Sequence, residues 1–166
     1  MMNSLGLIQN RRSVRRFKKA NIPARTIDKI LEAARWAPSG LNNQPWRFIV
    51  LEGKAKDTLV KYTHYGYTIK GADKVILVFL DKKSSYNLEK DLMAIGACIQ
   101  NMLLYIHSIG LGACWLGEIL NRRQKLQQFL RLPKNLRLQA LVAIGKPFAH
   151  RLSGKRRSLE RLLINV

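Results

Sequence analysis

The chain has 166 residues, of which 47% are hydrophobic and 24% charged, and its formal net charge at pH 7 is +20. This length fits one domain, residues 1–166, with a sizeable core, and this composition excludes a disordered basic tail as the source of the charge. A basic globular protein binds nucleic acid, binds an anionic small molecule, or carries a basic surface suited to its host. The basic residues are spread along the chain with only loose clusters at 11–19, 122–137 and 146–161, which disfavours nucleic acid.

Cysteine usage and the chain's apolar runs bear on its compartment. The only two cysteines, Cys98 and Cys114, stand in apolar surroundings without metal-ligand spacing, a pattern typical of buried, reduced thiols in a cytoplasmic protein. The N-terminal residues lack the apolar stretch of a signal peptide, and the longest aliphatic run, 75–80, is too short to span a bilayer. The sequence therefore predicts a soluble, cytoplasmic protein with no membrane partner and no metal.

The first half of the chain predicts one helix followed by two strands. Apolar residues recur at helical spacing over 23–36, with Pro23 in the first turn and Pro38 ending the run. Residues 47–53 predict a strand. The continuous apolar run 74–81 predicts a second strand that is buried on both faces.

The second half begins with the longest predicted helix, 91–109, which is apolar nearly all round. Such a helix is either wrapped by the sheet and its neighbours or shared with a second subunit. Residues 110–116 predict a turn into a strand, Asn121 is expected to cap a helix that runs to Leu130, and residues 139–145 predict another apolar strand. This alternation indicates one α/β or α+β sandwich.

Motifs for hydrolytic or metal chemistry are weak. His64, His107 and His150 are scattered and are interpreted as surface or packing residues. The glycines do not have the spacing of a phosphate-binding loop. The sequence therefore indicates no catalytic nucleophile, base or metal ligand.

Two short stretches carry more information. "RRSVRRF" at 11–17 places four arginines in seven positions around a serine, and "APSGLNNQPWRF" at 37–48 places amide side chains between two prolines. Taken alone, the second stretch is either an Asn- and Gly-rich turn or a rigid loop whose amides hydrogen-bond a heterocycle. Together with "GLGACWLG" at 110–117, these motifs resemble, in the same order, the flavin-dependent nitroreductase family.

The resemblance runs from about residue 5 to the C-terminus and implies an α+β fold. In that family the fold is a nitroreductase-like α/β sandwich, with a central, mostly antiparallel sheet flanked by helices. The family works as an intertwined homodimer with FMN held at the subunit interface. The apolar helix at 91–109 fits such an interface.

The resemblance also implies which residues bind FMN. The phosphate binds between the N-terminal motif and a basic pair near the C-terminus, where guanidinium groups and a hydroxyl suit a dianion. Arg15 lies by the pyrimidine edge of the flavin and stabilises the charge of the reduced ring. The loop at 38–44 reaches the flavin from the partner subunit, with Gln44 either in contact or bracing the loop. Residues 114–117 pack on the ring face opposite the substrate, with Trp115 either in contact or in the core. The implied cofactor-binding residues are Arg11, Arg12, Ser13, Arg15, Pro38, Ser39, Gly40, Asn42, Gln44, Cys114, Trp115, Leu116, Gly117, Lys155 and Arg157.

The function implied by the resemblance is an FMN-dependent oxidoreductase. It would pass a hydride from NADH or NADPH through FMN to a nitro compound, quinone or other small acceptor, and the cofactor supplies the chemistry without a catalytic side chain. The alternative is a non-catalytic flavin-binding or nucleic-acid-associated basic protein. Residues 110–138 are too few for the helices that cover the substrate face in full-length members, so a compact member with a more open flavin is expected. The family's further flavin-edge residue, expected within 62–74, is not assigned.

Overall fold

The computed structural model describes residues 3–148 and 153–164, and in these ranges no helix is long and apolar enough to cross a membrane. The described residues form six α-helices and five strands. The helices are α1 (Ser4–Asn10), α2 (Ala24–Arg35), α3 (Gly53–Asp57), α4 (Gly66–Gly71), α5 (Leu88–Ser108) and α6 (Arg123–Phe129). The strands are β1 (Phe17–Lys18), β2 (Trp46–Glu52), β3 (Lys74–Asp81), β4 (Gly112–Leu116) and β5 (Leu136–Pro147).

The five strands form one sheet in which every pairing of strands is antiparallel. β3 lies between β2 and β5, and β5 also pairs with β4 and with β1. The predicted α+β architecture, with an antiparallel sheet between helices, is confirmed.

β3 is the centre of the molecule, and all eight of its residues are buried. Successive side chains point to opposite faces of a sheet. Ile76, Val78 and Leu80 therefore pack with α2 and α5 on one face, whereas Leu77 and Phe79 join a second core that contains Leu126 of α6. A continuous apolar run thus produces the strand predicted at 74–81.

The N-cap residues of the two long helices determine where these helices begin. α2 has Pro23 at its N-cap and buries one apolar stripe, as predicted. α5 begins three residues before the predicted start, because the side chain of Asn87 accepts a hydrogen bond from the backbone N–H of Lys90. The strand predicted at 47–53 and the strand predicted after residue 110 are both present, as β2 and β4.

One predicted helix start is wrong. The segment Gly117–Arg122 forms a 3₁₀ helix, and α6 begins only at Arg123. Asn121 lies inside this 3₁₀ segment, where its side chain hydrogen-bonds Glu118 instead of capping α6. β5 is also longer than the predicted 139–145, because its two ends pair with β3 and β1.

Candidate functional site

The N-terminal arginine motif lies against β4. Ser13 forms a parallel bridge with Ala113, and the backbone N–H of Val14 donates to the Ala113 carbonyl at 2.8 Å. A Cβ on Gly112 would come within 2.9 Å of the Val14 side chain, so this close approach requires glycine. The bridge fixes Arg11 on one side of Ser13 and Arg15 on the other.

Arg11 is half-buried within a group of positive charges. Burial lowers the pKa of its guanidinium, and the charges of Arg156 and Arg12 lower it further. Among the groups that shift this pKa in the described residues, none is a carboxylate. A cluster of cations without a carboxylate partner is suited to an anion such as a phosphate.

The C-terminal basic segment reaches this cluster, as the resemblance implies. A Cβ on Gly154 would lie 2.6 Å from Nε of Arg12, so the two segments touch there. Arg156 is the C-terminal residue whose charge acts on Arg11. Lys155 and Arg157 are its exposed neighbours, and their contact with FMN stays a prediction.

Arg12 is held by its own chain. Its Nη1 donates to the carbonyls of Gln9 at 2.6 Å and Arg11 at 2.8 Å. Its Nε is buried and has no hydrogen-bond partner among residues 3–148 and 153–164. Arg12 therefore ties the end of α1 to the motif and leaves one buried donor for an added acceptor.

His107, near the end of α5, also faces this cluster, which its isolated position in the sequence did not indicate. Its pKa is lowered by burial, and then by the charges of Arg11 and Arg12. Its Nε2 is buried, and none of the residues that the structure describes is its hydrogen-bond partner. The neutral imidazole is therefore favoured beside the arginines.

The segment at 63–65 joins the site beside Arg15. The Arg15 guanidinium lies 6.0 Å from the centroid of the Tyr65 ring, a cation–π distance. Sequence reasoning left the flavin-edge residue within 62–74 unassigned, and this contact places Tyr65 next to Arg15. The spacing of the tyrosines in the sequence does not indicate that Tyr65 lies beside Arg15.

Glu118 anchors the same segment to the end of β4. The Thr63 hydroxyl donates to Glu118 Oε2, and the backbone N–H of His64 donates to the same oxygen at 3.2 Å. The Thr63 hydrogen bond is the main reason that the pKa of Glu118 lies below its ordinary value. Thr63 and His64 are thus held beside Glu118.

β4 presents alternate side chains to the core and to the site. Cys114 and Leu116 are buried, whereas Trp115 is 42% exposed, so Trp115 is not a core residue. Burial raises the pKa of the Cys114 thiol, an effect that the charges of Arg15 and Arg11 oppose. Both cysteines are buried and free, as predicted, and burial raises the pKa of Cys98 to about 12.

The loop at 38–44 has an unusual backbone. Leu41, Asn42 and Gln44 have φ values of 55°, 52° and 45°, a left-handed conformation that most residues avoid. The Gln44 backbone N–H donates to Ser39 Oγ at 3.1 Å, and Gln44 Nε2 lies 3.2 Å from Asn42 Oδ1. The bracing role for Gln44 is therefore present within the loop.

The loop is fastened to the start of α5 by a buried carboxylate. Asn43 Nδ2 donates to Asp91 Oδ1 at 2.7 Å, and Ser85 Oγ donates to Asp91 Oδ2 at 2.6 Å. Burial acts to raise the pKa of Asp91, but these hydrogen bonds and two backbone N–H groups lower it more. Gly40 packs against the Tyr86 ring and has no room for a side chain. Sequence reasoning missed this anchor because its donors come from separate segments.

Within one chain, the loop and the arginine motif lie at opposite ends of the sheet. The Asp81 backbone N–H donates to the Pro45 carbonyl, and Asp81 pairs with Leu136. Ala113, which bridges Ser13, pairs instead with Ile144. Residues 136 and 144 of β5 are eight positions apart, a separation of roughly 26 Å along a strand. The loop and the arginine motif are thus not brought together, whereas residues 11–15, 63–65, 114–118 and 154–156 are.

Comparisons with known proteins identify the family of this chain. A family model described as the nitroreductase family matches residues 8–79 and 60–146. The crystal structure of a Desulfovibrio desulfuricans nitroreductase in complex with FMN has 44% sequence identity and a TM-score of 0.95, and the match covers 100% of this chain and 98% of that one.

Two relatives carry different functional names. A protein of Archaeoglobus fulgidus named as an NADH dehydrogenase/NAD(P)H nitroreductase is 33% identical over 153 residues, which is 89% of this chain and 87% of the relative. An iodotyrosine deiodinase of Thermotoga neapolitana is 28% identical over 167 residues, which is 85% of this chain and 87% of the relative. With its fold, its arginine motif and these matches, the chain belongs to the nitroreductase family.

Proposed function

We propose that this chain is an FMN-dependent oxidoreductase, which passes a hydride from NADH or NADPH through bound FMN to a nitro compound, a quinone or another small acceptor. One observation carries the proposal: the N-terminal arginine motif and the C-terminal basic segment meet at β4. The FMN in the D. desulfuricans relative and the NAD(P)H in the name of the A. fulgidus relative support the cofactor and the donor.

The residues at this meeting point fit a phosphate. Arg11 and Arg156 supply guanidinium groups near one another, and Ser13 supplies a hydroxyl. The buried, unpartnered Nε of Arg12 is a donor without an acceptor. A bound phosphate dianion would accept hydrogen bonds here and would offset the repulsion among these cations.

The remaining residues would orient the flavin ring. When bound, FMN supplies hydride acceptance and electron transfer to the second substrate. Arg15, whose guanidinium lies 6.0 Å from the centroid of the Tyr65 ring, would supply a positive charge at the edge of the flavin, and this charge would favour electron-rich states of the flavin ring. Trp115, which is exposed, and Gly117 would lie against one face of the flavin ring.

The proposal includes a homodimer, since the loop at 38–44 lies too far from its own chain's arginine motif to serve it. Leu41 of that loop is 85% exposed. Large apolar side chains that a dimer interface could cover are also exposed on α5 and in the C-terminal segment. They are Leu88, Met93, Leu159, Leu162, Leu163 and Ile164. A stable dimer would have about twice the 19.0 kDa chain mass by light scattering, and a stable monomer that retains FMN would contradict the loop assignment.

The acceptor belongs to the proposal only as a class. Relatives of similar coverage carry both nitroreductase and deiodinase names, so the family fold serves more than one acceptor. The short connection between α5 and β5 leaves the proposed ring site open to acceptors of different shape. The cytoplasmic location stays a prediction.

The test begins with the absorption spectrum of the purified protein. We expect a yellow protein with a flavin spectrum, oxidation of NADH or NADPH, and turnover with members of a panel of nitro compounds, quinones and iodinated phenols. A flavin-bound protein without turnover across the panel would favour the non-catalytic alternative. A colourless protein that retains nucleic acid would contradict the flavin assignment.

A further inference from the structure

A second basic region, separate from the arginine motif, surrounds a cavity of about 690 Å³. It lies where β3 ends and β5 begins, and Leu136 forms part of its wall. Ala113, beside the arginine motif, pairs with Ile144 at the other end of β5. The same eight-residue separation, roughly 26 Å, divides the cavity from the proposed phosphate site.

The lining of the cavity is strongly positive. It contains six basic side chains and no acidic one in the part of the chain that the structure describes. They come from four places in the chain: the residue after β3, the start of α6, the loop before β5, and β5 itself. The basic residues are Lys82, Arg122, Arg123, Lys125, Lys134 and Arg137.

The neighbouring carboxylate does not neutralise these charges. Asp81 Oδ2 pairs with Arg47 at 2.9 Å, and its Oδ1 accepts a hydrogen bond from Asn135 at 2.7 Å. The Asn135 hydrogen bond is the main reason that the pKa of Asp81 lies below its ordinary value. Asp81 therefore directs its charge to partners outside the lining.

Two arginines in the cavity are held near each other. Arg123 is half-buried, and its Nε is inaccessible to solvent and has no hydrogen-bond partner within the described part of the chain. Burial lowers the pKa of Arg123, and the charge of Arg137 lowers it further. A desolvated guanidinium beside a second one is unfavourable unless an anion lies between them.

The cavity wall is fixed before any ligand arrives. Gln127 of α6 donates to the Leu136 carbonyl at 2.9 Å and accepts from the backbone N–H of Leu138 at 2.9 Å. The backbone N–H of Lys82 donates to the Asn135 carbonyl at 2.9 Å. These bonds hold α6, the preceding loop and β5 together, so the basic side chains start from a rigid frame.

We propose that this cavity binds a small molecule that carries two or more clustered phosphoryl groups. One orthophosphate would leave most of the six cations unpaired, and the volume lies in the range of small-molecule sites. Arginine and lysine together are the usual recognition groups for phosphates. None of the described residues that line the cavity is aromatic, and they therefore do not supply the stacking platform that single-stranded nucleic acid uses.

The test uses calorimetric titration of the protein, as purified and supplied with saturating FMN, with inorganic tripolyphosphate. We expect one tripolyphosphate per chain, bound at least about tenfold more tightly than orthophosphate. Arg123→Gln and Arg137→Gln should each weaken tripolyphosphate binding by about tenfold or more. Lys134→Gln, an exposed lining residue, should weaken it in the same direction without affecting the fold.

Two matched variants separate a built site from diffuse charge. Arg25→Gln removes one exposed positive charge from α2, and Arg11→Gln removes one from the arginine motif. Both should leave the affinity for tripolyphosphate within about twofold of the unmodified protein. Equal losses in Arg25→Gln and Arg123→Gln, or a loss confined to Arg11→Gln, would overturn the proposal. So would tighter binding of a single-stranded oligonucleotide that is lost in the same cavity variants.

Nucleotide competition identifies the source of the phosphoryl groups. Displacement of tripolyphosphate by NADP⁺ but not by NAD⁺ would assign the cavity to the phosphates of a nicotinamide donor. If neither displaces it, the cavity serves a separate polyphosphorylated ligand. Because calorimetry does not depend on turnover, the cavity proposal can fail or succeed independently of the proposed oxidoreductase function.

Discussion

Arg11 and Arg123 occupy similar electrostatic positions at opposite ends of the sheet. Each is half-buried, and burial is the main reason for the lowered pKa of each. Each also has a second arginine close enough to lower its pKa further, Arg156 for Arg11 and Arg137 for Arg123. In both places the fold maintains like charges together, which is unfavourable until an anion arrives.

The two regions differ in what surrounds the charges. At Arg11, a serine hydroxyl, a backbone bridge and a neutral histidine contribute, so the site suits one phosphate in one orientation. At Arg123, the surroundings are an open cavity with lysines on several sides. Positive charges that are not accompanied by directional hydrogen-bonding groups favour a ligand that carries several negative charges at different positions. The same buried guanidinium can thus serve a defined cofactor or a broader class of polyanion.

Substitution of Arg11 should produce the largest effect and distinguish the two regions most clearly. Arg11→Ala removes a charge-assisted contact to the FMN phosphate, and we expect the FMN dissociation constant to rise by roughly 10- to 100-fold. Arg157→Ala should act in the same direction. Release of FMN is measured by its fluorescence. Arg123→Gln is the matched control, and equal FMN loss in that variant would end the distinction between the regions.

Arg15→Ala should act on the flavin's redox potential instead of its retention. A positive charge at the ring edge favours the reduced, negatively charged ring, so its removal should lower the midpoint potential. A decrease of ~30 mV corresponds to ~1.4 kcal/mol for a two-electron couple. The titration is made with saturating FMN in every variant. Arg11→Ala should leave the potential nearly unchanged, and an equal shift in both variants would refute their separate roles.

Arg137→Gln should stabilise the protein when no polyphosphate is present. Removing the charge beside Arg123 relieves a repulsion of about 0.5 kcal/mol, which corresponds to a rise in Tm of about 1–2 °C. Differential scanning calorimetry measures this rise. Arg25→Gln changes net charge equally, so an equal rise there would assign the effect to overall charge and not to the cavity. Added tripolyphosphate should reverse the order of the two variants.

The sequence predicted what depends on consecutive residues. The apolar run at 74–81 gave β3 with the observed bounds, because a strand buried on both faces needs apolar residues throughout. The arginine motif also identified the region around Ser13, since its residues are adjacent. The prediction that Asn121 caps α6 was wrong because asparagine is favoured in turns as well as at helix N-caps. Here Asn121 lies in the 3₁₀ segment Gly117–Arg122.

The sequence did not predict what the fold gathers from distant segments. Tyr65 meets Arg15 across 50 positions, and Asn43 meets Asp91 across 48. The six cations of the cavity come from four segments, so no local spacing marks them. The composition showed an excess of positive charge. Only the strand register showed that the arginine motif and the basic cavity lie at opposite ends of one sheet.

The smallest predicted effect is a pH response at the Arg11 region that the Arg123 region lacks. His107 binds a proton less readily in the folded protein than in the unfolded chain, because burial and the charges of Arg11 and Arg12 lower its pKa. A lowered histidine pKa means that stability is full above the unfolded-chain value, about 6.5, and is lost as pH falls below it. Asp81, Asp91 and Glu118 also have lowered pKa values, but they respond only below roughly pH 4.

Urea unfolding at pH 7.5 and pH 5.5 should therefore show a small loss of stability at the lower pH. His107→Gln should reduce that loss, whereas His64→Gln, which changes an exposed histidine, should not. Bound FMN should also reduce it, because a phosphate beside Arg11 opposes the arginine charges that disfavour a protonated imidazole. Tripolyphosphate in the distant cavity should leave the effect of His107 almost unchanged. If tripolyphosphate reduced the acid loss as much as FMN does, both anions would be acting on the same cluster, and the two regions would not be independent.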